Sequence, residues 1–208
     1  MDDYRKVSKV KMDNSVSPKF RKITKSAESL FIKFGLKKVT VEEICHEAGV
    51  SKMTFYKYFK NKIELAKYLW KTGIDDAMNQ LDELDRMDAS FPEKVNLILK
   101  LKEESVSQWG NQYIRDYLEM MPELLDFYNE IFNRVITRFM DMIHKAQDKG
   151  EVRKSMKPEF FLLIAQKMIE LFKDEQLSSL YPDYTELALE INNFLYYGIM
   201  PIPGKENR

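Results

Sequence analysis

The stretch TVEEICHEAGVSKMTFYKYFKNK, residues 40–62, constrains this chain more than any other. Thr40 is a helix-capping residue, and Glu43 three positions on completes the pattern of a capping box. Ile44, Cys45 and Ala48 share one helical face, so a short helix is expected over 41–48. Gly49 supplies a turn residue, and Ser51 can cap a second helix over about 52–58. In that helix Phe55 and Phe59, spaced i and i+4, point inward and leave hydroxyls, lysines and tyrosines outside. Two short helices in a tight turn, the second with a polar and cationic outer face, form the layout that inserts a helix into the DNA major groove.

Charge supports that division. The chain has 33 Lys and Arg against 33 Asp and Glu, a net charge of zero, yet residues 1–70 hold 16 basic against 8 acidic residues and the rest hold 17 against 25. The first part attracts phosphate and the remainder is repelled by it, which orients the molecule on a polyanion as well as drawing it there.

Around this motif the chain reads as all-α, with about nine helices. Leu, Ile, Met, Lys and Glu dominate, and no alternating β-branched run appears. Residues 1–17 are expected to be a disordered arm, 18–62 a helix-turn-helix domain, 63–200 a helical body and 201–208 a tail. Ser17 and Pro18 open the first helix, whose apolar positions Phe20, Ile23, Ala27, Leu30, Phe31 and Phe34 form a stripe ending at Gly35. Asn61 caps a long fourth helix running to about 84–85, and residues 87–92 break the pattern. Helical blocks then follow over about 92–108, 111–120 and 123–149. Gly150 stops the third of these, and Pro158 and Pro182 open blocks over 158–178 and 183–199.

Several chemistries lack their residues. One cysteine permits neither an internal disulfide nor a zinc cluster, and neither histidine has metal-ligand neighbours, so no metal or cofactor is expected. There is no nucleophile–histidine pair and no phosphate-binding glycine loop. No secretory signal or membrane-spanning run is visible, which makes a cytoplasmic protein with no membrane partner the plain expectation. Cys45, on the buried face of its helix, reads as core packing.

From Phe20 to Leu69 the chain resembles the TetR/AcrR family of bacterial transcription regulators. The match runs through Phe34-Gly35, Thr40, Ile44, Ala48 to Ser51, Thr54 to Tyr56, Tyr58 to Lys62, and Leu65. The resemblance implies a homodimer that binds an operator through its first three helices, carries a small-molecule pocket in the body and leaves DNA when an effector binds. It places Thr40, Lys52, Thr54, Tyr56, Tyr58 and Lys62 at DNA. Met53 and Lys57 depart from the family pattern beside the reading face, so no relative's operator can be transferred.

The residues add detail to that expectation. Ser51, as cap, opens the reading helix. Lys52, Met53, Thr54 and Lys57 are candidates for base edges, since lysine donates to guanine acceptors and methyl groups meet the thymine methyl. Tyr56, Tyr58, Lys60 and Lys62 suit phosphates, although the same lysines also suit ordinary solvated surface. In the body, Trp109, Tyr113, Tyr117, Met120, Phe127 and Tyr128 are candidates for a pocket taking a flat or apolar effector, against the plainer reading that they are core. Phe161, Ile164, Met168, Leu187, Ile191, Phe194 and Leu195 form stripes suited to a dimer interface of two helices from each subunit. A repressor is the leading expectation. The alternative is a DNA-binding protein of the same fold, with no small-molecule ligand and a protein partner instead.

Overall fold

The computed structural model describes residues 17–107, 112, 115–116 and 125–197. Among these residues the secondary structure is helical: α1 Pro18–Phe34, α2 Val41–Ala48, α3 Lys52–Tyr56, α4 Lys62–Arg86, α5 Phe91–Ser107, α6 Leu125–Asp148, α7 Pro158–Glu170, α8 Glu175–Leu180 and α9 Tyr184–Tyr197. The chain separates into two compact units, dividing between Gln80 and Leu81. The division falls inside α4, well past residue 62.

The local chemistry of each helix start explains the first unit. Pro18 occupies the first turn of α1, where its missing N–H costs nothing. The capping box of α2 is complete: the Glu43 N–H donates to Thr40 Oγ1 at 3.2 Å and the Thr40 N–H donates to Glu43 Oε2 at 2.7 Å. Gly49 then takes the left-handed conformation, φ +63° and ψ 40°, that ends α2. Ser51 Oγ accepts the Thr54 N–H at 3.2 Å and starts α3. Asn61 Oδ1 accepts the Glu64 N–H at 2.9 Å and starts α4.

Behind these caps lie buried apolar side chains: Ile23, Ala27 and Phe31 of α1, Leu36 and Val39 of the following segment, Ile44, Cys45 and Ala48 of α2, Phe55 and Phe59 at α3, and Leu65, Ala66 and Trp70 of α4. Each fully buried phenylalanine contributes about 2–3 kcal/mol by removal from water. Phe34, expected on the buried stripe of α1, is instead 45% exposed. Thr24 takes an inward place, its hydroxyl donating to the carbonyls of Phe20 and Arg21 at 3.2 and 3.1 Å.

In the second unit α5, α6 and α7 enclose a core of Phe91, Val95, Ile98, Leu99, Phe139, Met142, Ile143 and Phe161, joined by Val152 and Met156 from the connection after α6. Gly150, at φ 75°, ends α6 as expected. The block expected over 158–178 is not one helix. It breaks after a 3-10 turn at Leu171–Lys173, because the Asp174 side chain accepts the Leu177 N–H at 3.0 Å and caps α8. An aspartate competes for backbone donors in this way wherever it can serve as a cap. Of the block expected over 111–120, all but 112, 115 and 116 lies outside the described residues.

Candidate nucleic-acid interface

The α3 segment is short and is braced along its buried side. Phe55 is fully buried, and its ring meets Tyr56 edge-on at 5.5 Å and Phe59 at 5.9 Å. Phe59 and Tyr58 both pack on Phe20 of α1, at 5.3 and 5.4 Å. This apolar anchor fixes the rotation of α3 and leaves its other side in water. Met53 is 79% exposed and Tyr56 55%. An unbranched apolar side chain so open to solvent has no packing role in the free protein. Lys52, Lys57, Lys60, Thr40 and Ser51 are exposed as well, and Thr54 is partly so.

Several of the candidate residues already have partners. Thr40 and Ser51 cap their helices, and Thr40 Oγ1 also donates to Glu43 Oε2 at 2.8 Å. That backbone N–H and the Thr40 hydroxyl hold the Glu43 carboxyl below its ordinary value. Lys52 forms an ion pair with Glu42 across the turn. Its hydrogen bond holds the Glu42 carboxyl down, and the Lys52 ammonium is raised in return.

Tyr58 and Lys62 are more deeply committed. The Tyr58 hydroxyl is 2.8 Å from Ser17 Oγ, tying the end of α3 to the start of α1. Lys62 turns its ammonium onto three backbone carbonyls, of Leu36, Lys37 and Val39, at 2.9, 2.8 and 2.7 Å. All three of its protons are used within the protein. Sequence spacing gives no sign of either arrangement, since each joins residues more than 20 positions apart.

Leu30 of α1 and Glu42, Glu43, His46 and Glu47 of α2 line a shallow hollow. Cys45 is buried, and burial pushes its thiol pKa up, away from the thiolate a redox switch would use.

The candidates in the second unit separate. Trp109, Tyr113, Tyr117 and Met120, and the side chain of Tyr128, lie outside the described residues, while Phe127 is half-buried. Phe161 and Leu187, expected at a dimer interface, are instead 2% and 1% exposed, packed inside their own unit. Ile164, Met168, Ile191 and Leu195 are partly buried, and Phe194 is 73% exposed. Phe160 and Leu163 of α7, outside the expected interface set, are 57% and 59% exposed. A helix apolar on two faces shows its period in the sequence but not which face turns outward.

A capped, exposed helix braced by two others on a basic N-terminal segment, followed in the chain by a helical body, defines a helix-turn-helix DNA-binding regulator. Residues 23–69 match the model described as bacterial regulatory proteins, tetR family, so the N-terminal part of the chain is similar to that family. The fatty acid metabolism regulator protein of Bacillus subtilis is 24% identical over 162 residues, spanning 78% of this chain and 83% of that one. Two solved structures share the fold. SmeT, the repressor of the Stenotrophomonas maltophilia multidrug efflux pump SmeDEF, superposes with a TM-score of 0.63 at 17% identity over 92% of this chain and 96% of its own. The transcriptional regulator FadR from Bacillus subtilis, solved in complex with stearoyl-CoA, does so with a TM-score of 0.62 at 18% identity over 86% and 99%.

Among the described residues no helix is long and apolar enough to cross a membrane, and no cluster of His, Cys, Asp and Glu could hold a metal ion.

Proposed function

We propose that this regulator is a repressor that binds a palindromic operator as a homodimer and is released by a small apolar or aromatic effector. The observation that carries the reading is the outer face of α3. Met53 and Tyr56 are open to solvent although apolar, and Lys57 and Lys60 are exposed beside them on a basic unit. In this reading Lys52, Met53, Thr54 and Lys57 meet base edges, and Thr40, Ser51, Tyr56 and Lys60 meet phosphates.

Two reading helices must stand about 34 Å apart to enter successive major grooves, which requires a dimer. The exposed Phe160, Leu163 and Phe194 support one, because apolar side chains this open are the kind a partner covers. An apolar effector accords with the stearoyl-CoA bound by FadR, and Trp109, Tyr113, Tyr117, Met120, Phe127 and Tyr128 are the residues assigned to it. The effector acts by binding the DNA-free state more tightly than the DNA-bound one.

The test is fluorescence anisotropy on the DNA upstream of the protein's own gene and on scrambled DNA of equal length, at two salt concentrations. Tighter binding to the native fragment that persists at higher salt supports the reading. Equal binding to both that collapses with salt removes sequence-specific control of its own promoter.

A further inference from the structure

Lys62 is the first residue of α4, a position where the positive end of the helix dipole disfavours a cation. The ammonium nevertheless sits there, 2.9, 2.8 and 2.7 Å from the carbonyl oxygens of Leu36, Lys37 and Val39. Those carbonyls belong to the turn between α1 and α2. Leu36 and Val39 are themselves buried, at 0% and 2% exposure, so the turn is held from beneath by its side chains and from one side by this single cation. The residue that follows is Thr40, which caps α2 and belongs to the face assigned to DNA.

A lysine binding phosphate keeps its ammonium in water until DNA arrives, but here every donor is spent on backbone. Three converging acceptors also suit a compact ammonium with three rotatable donors better than a planar guanidinium.

We propose that Lys62 is a positioning residue for DNA recognition: its ammonium fixes the α1–α2 turn, and through it Thr40 and the start of α2, in register with α3. It does not neutralise a phosphate. This assignment rests on the DNA-binding reading above and says how one part of that surface is held.

The two roles differ in what salt does. Removing a phosphate contact lowers the slope of log affinity against log salt by about 0.9 per subunit on duplex DNA of any sequence. Removing a positioning contact leaves that slope in place and lowers discrimination between sequences. The experiment uses the full-length protein, a random-sequence 30-base-pair duplex (a length set by the assay, roughly three helical turns), and a duplex of equal length enriched by the wild-type protein from a random library. The variants are Lys62→Met, Lys62→Arg and, as a phosphate comparison, Lys60→Met.

The expected result for Lys62→Met is a wild-type salt slope on random duplex, with the affinity ratio between enriched and random DNA falling roughly tenfold, the scale of one lost base contact. Lys60→Met is expected to lower the slope. Lys62→Arg keeps the charge and gives a second variant should Lys62→Met fold poorly. A phosphate contact tolerates that change, whereas the three-carbonyl arrangement is expected to lose discrimination. A slope reduced by about 0.9 per subunit in Lys62→Met overturns the proposal, as does full discrimination in Lys62→Arg. Failure of the wild-type protein to bind either duplex would overturn the DNA-binding reading itself, and is read before any variant is compared.

Discussion

Glu42 and Lys52 are paired across the turn of the helix-turn-helix, with 60% and 54% of their side chains still exposed. The carboxylate of one helix therefore occupies a cation that the other helix would present to DNA. Exposed ion pairs add little to stability, so the consequence of this one lies in binding. Glu42→Gln is expected to raise affinity for random duplex DNA at low salt and to steepen the salt slope by up to about 0.9 per subunit, with the melting temperature essentially unchanged. Anisotropy titrations at several salt concentrations measure this, and an unaltered slope would show that Lys52 takes no part in phosphate or base contact.

The left-handed turn at Gly49 has open space where a side chain would sit, with no neighbouring atom within 4 Å of the place a methyl group would take. The cost of Gly49→Ala is then backbone strain alone, about 1–2 kcal/mol. Thermal melting is expected to show a loss of about 4–8 °C per kcal/mol if the N-terminal unit melts as a domain of 60–100 residues. Gly49→Asn is expected to lose less, because asparagine enters this conformation more readily. Equal losses for both would point to a clash rather than to backbone conformation.

The turn and caps of the first unit were legible in sequence because their causes are local. A capping box spans four residues, and a glycine stop spans one. What escaped the sequence is what closes over distance: Lys62 on the α1–α2 carbonyls, Tyr58 on Ser17, and Glu42 on Lys52. The same limit applies to the second unit. The apolar period of α7 is visible in the sequence, yet Phe161 turns inward and Phe160 outward, and only the packing of α5 and α6 decides between them. Asp174 was missed for another reason. A cap in the middle of an otherwise continuous helical pattern carries no glycine or proline to mark it.

Asp85 gives the second unit a pH-dependent contribution. Its Oδ2 accepts from Arg138 at 2.8 Å and from Lys145 at 2.6 Å, and Arg138 also pairs with Asp82. Burial pushes the Asp85 carboxyl up, but the hydrogen bonds and charges of Lys145 and Arg138 outweigh this and hold it below the ordinary value. A depressed carboxyl stabilises the fold at pH above its unfolded value, about 3.9, and loses that contribution as pH falls through its lower folded value. Asp85→Asn is expected to destabilise the protein by about 1–3 kcal/mol at neutral pH. The deficit relative to wild type should shrink below about pH 3.9. Urea unfolding at a series of pH values tests this, and a deficit constant down to pH ~2 would show that charge is not its source.

Met53 separates recognition from stability. With 79% of it exposed, Met53→Ala is expected to change unfolding free energy by no more than about 0.5 kcal/mol. Loss of an apolar contact to a thymine methyl should at the same time weaken binding to the enriched duplex several-fold and leave random duplex unaffected. Binding lost equally on both would remove Met53 from the base-reading set.

The burial of Cys45 makes the chain its own timer. It is the sole cysteine in the sequence, 5% exposed, with its thiol pKa pushed up by burial. A thiol-trapping reagent can reach it only when the N-terminal unit opens, so in reagent excess the trapping rate reports how often that unit breathes while the acidic body stays silent. Slower trapping on adding duplex DNA would read out clamping of the unit without a dye, a tag or an introduced residue.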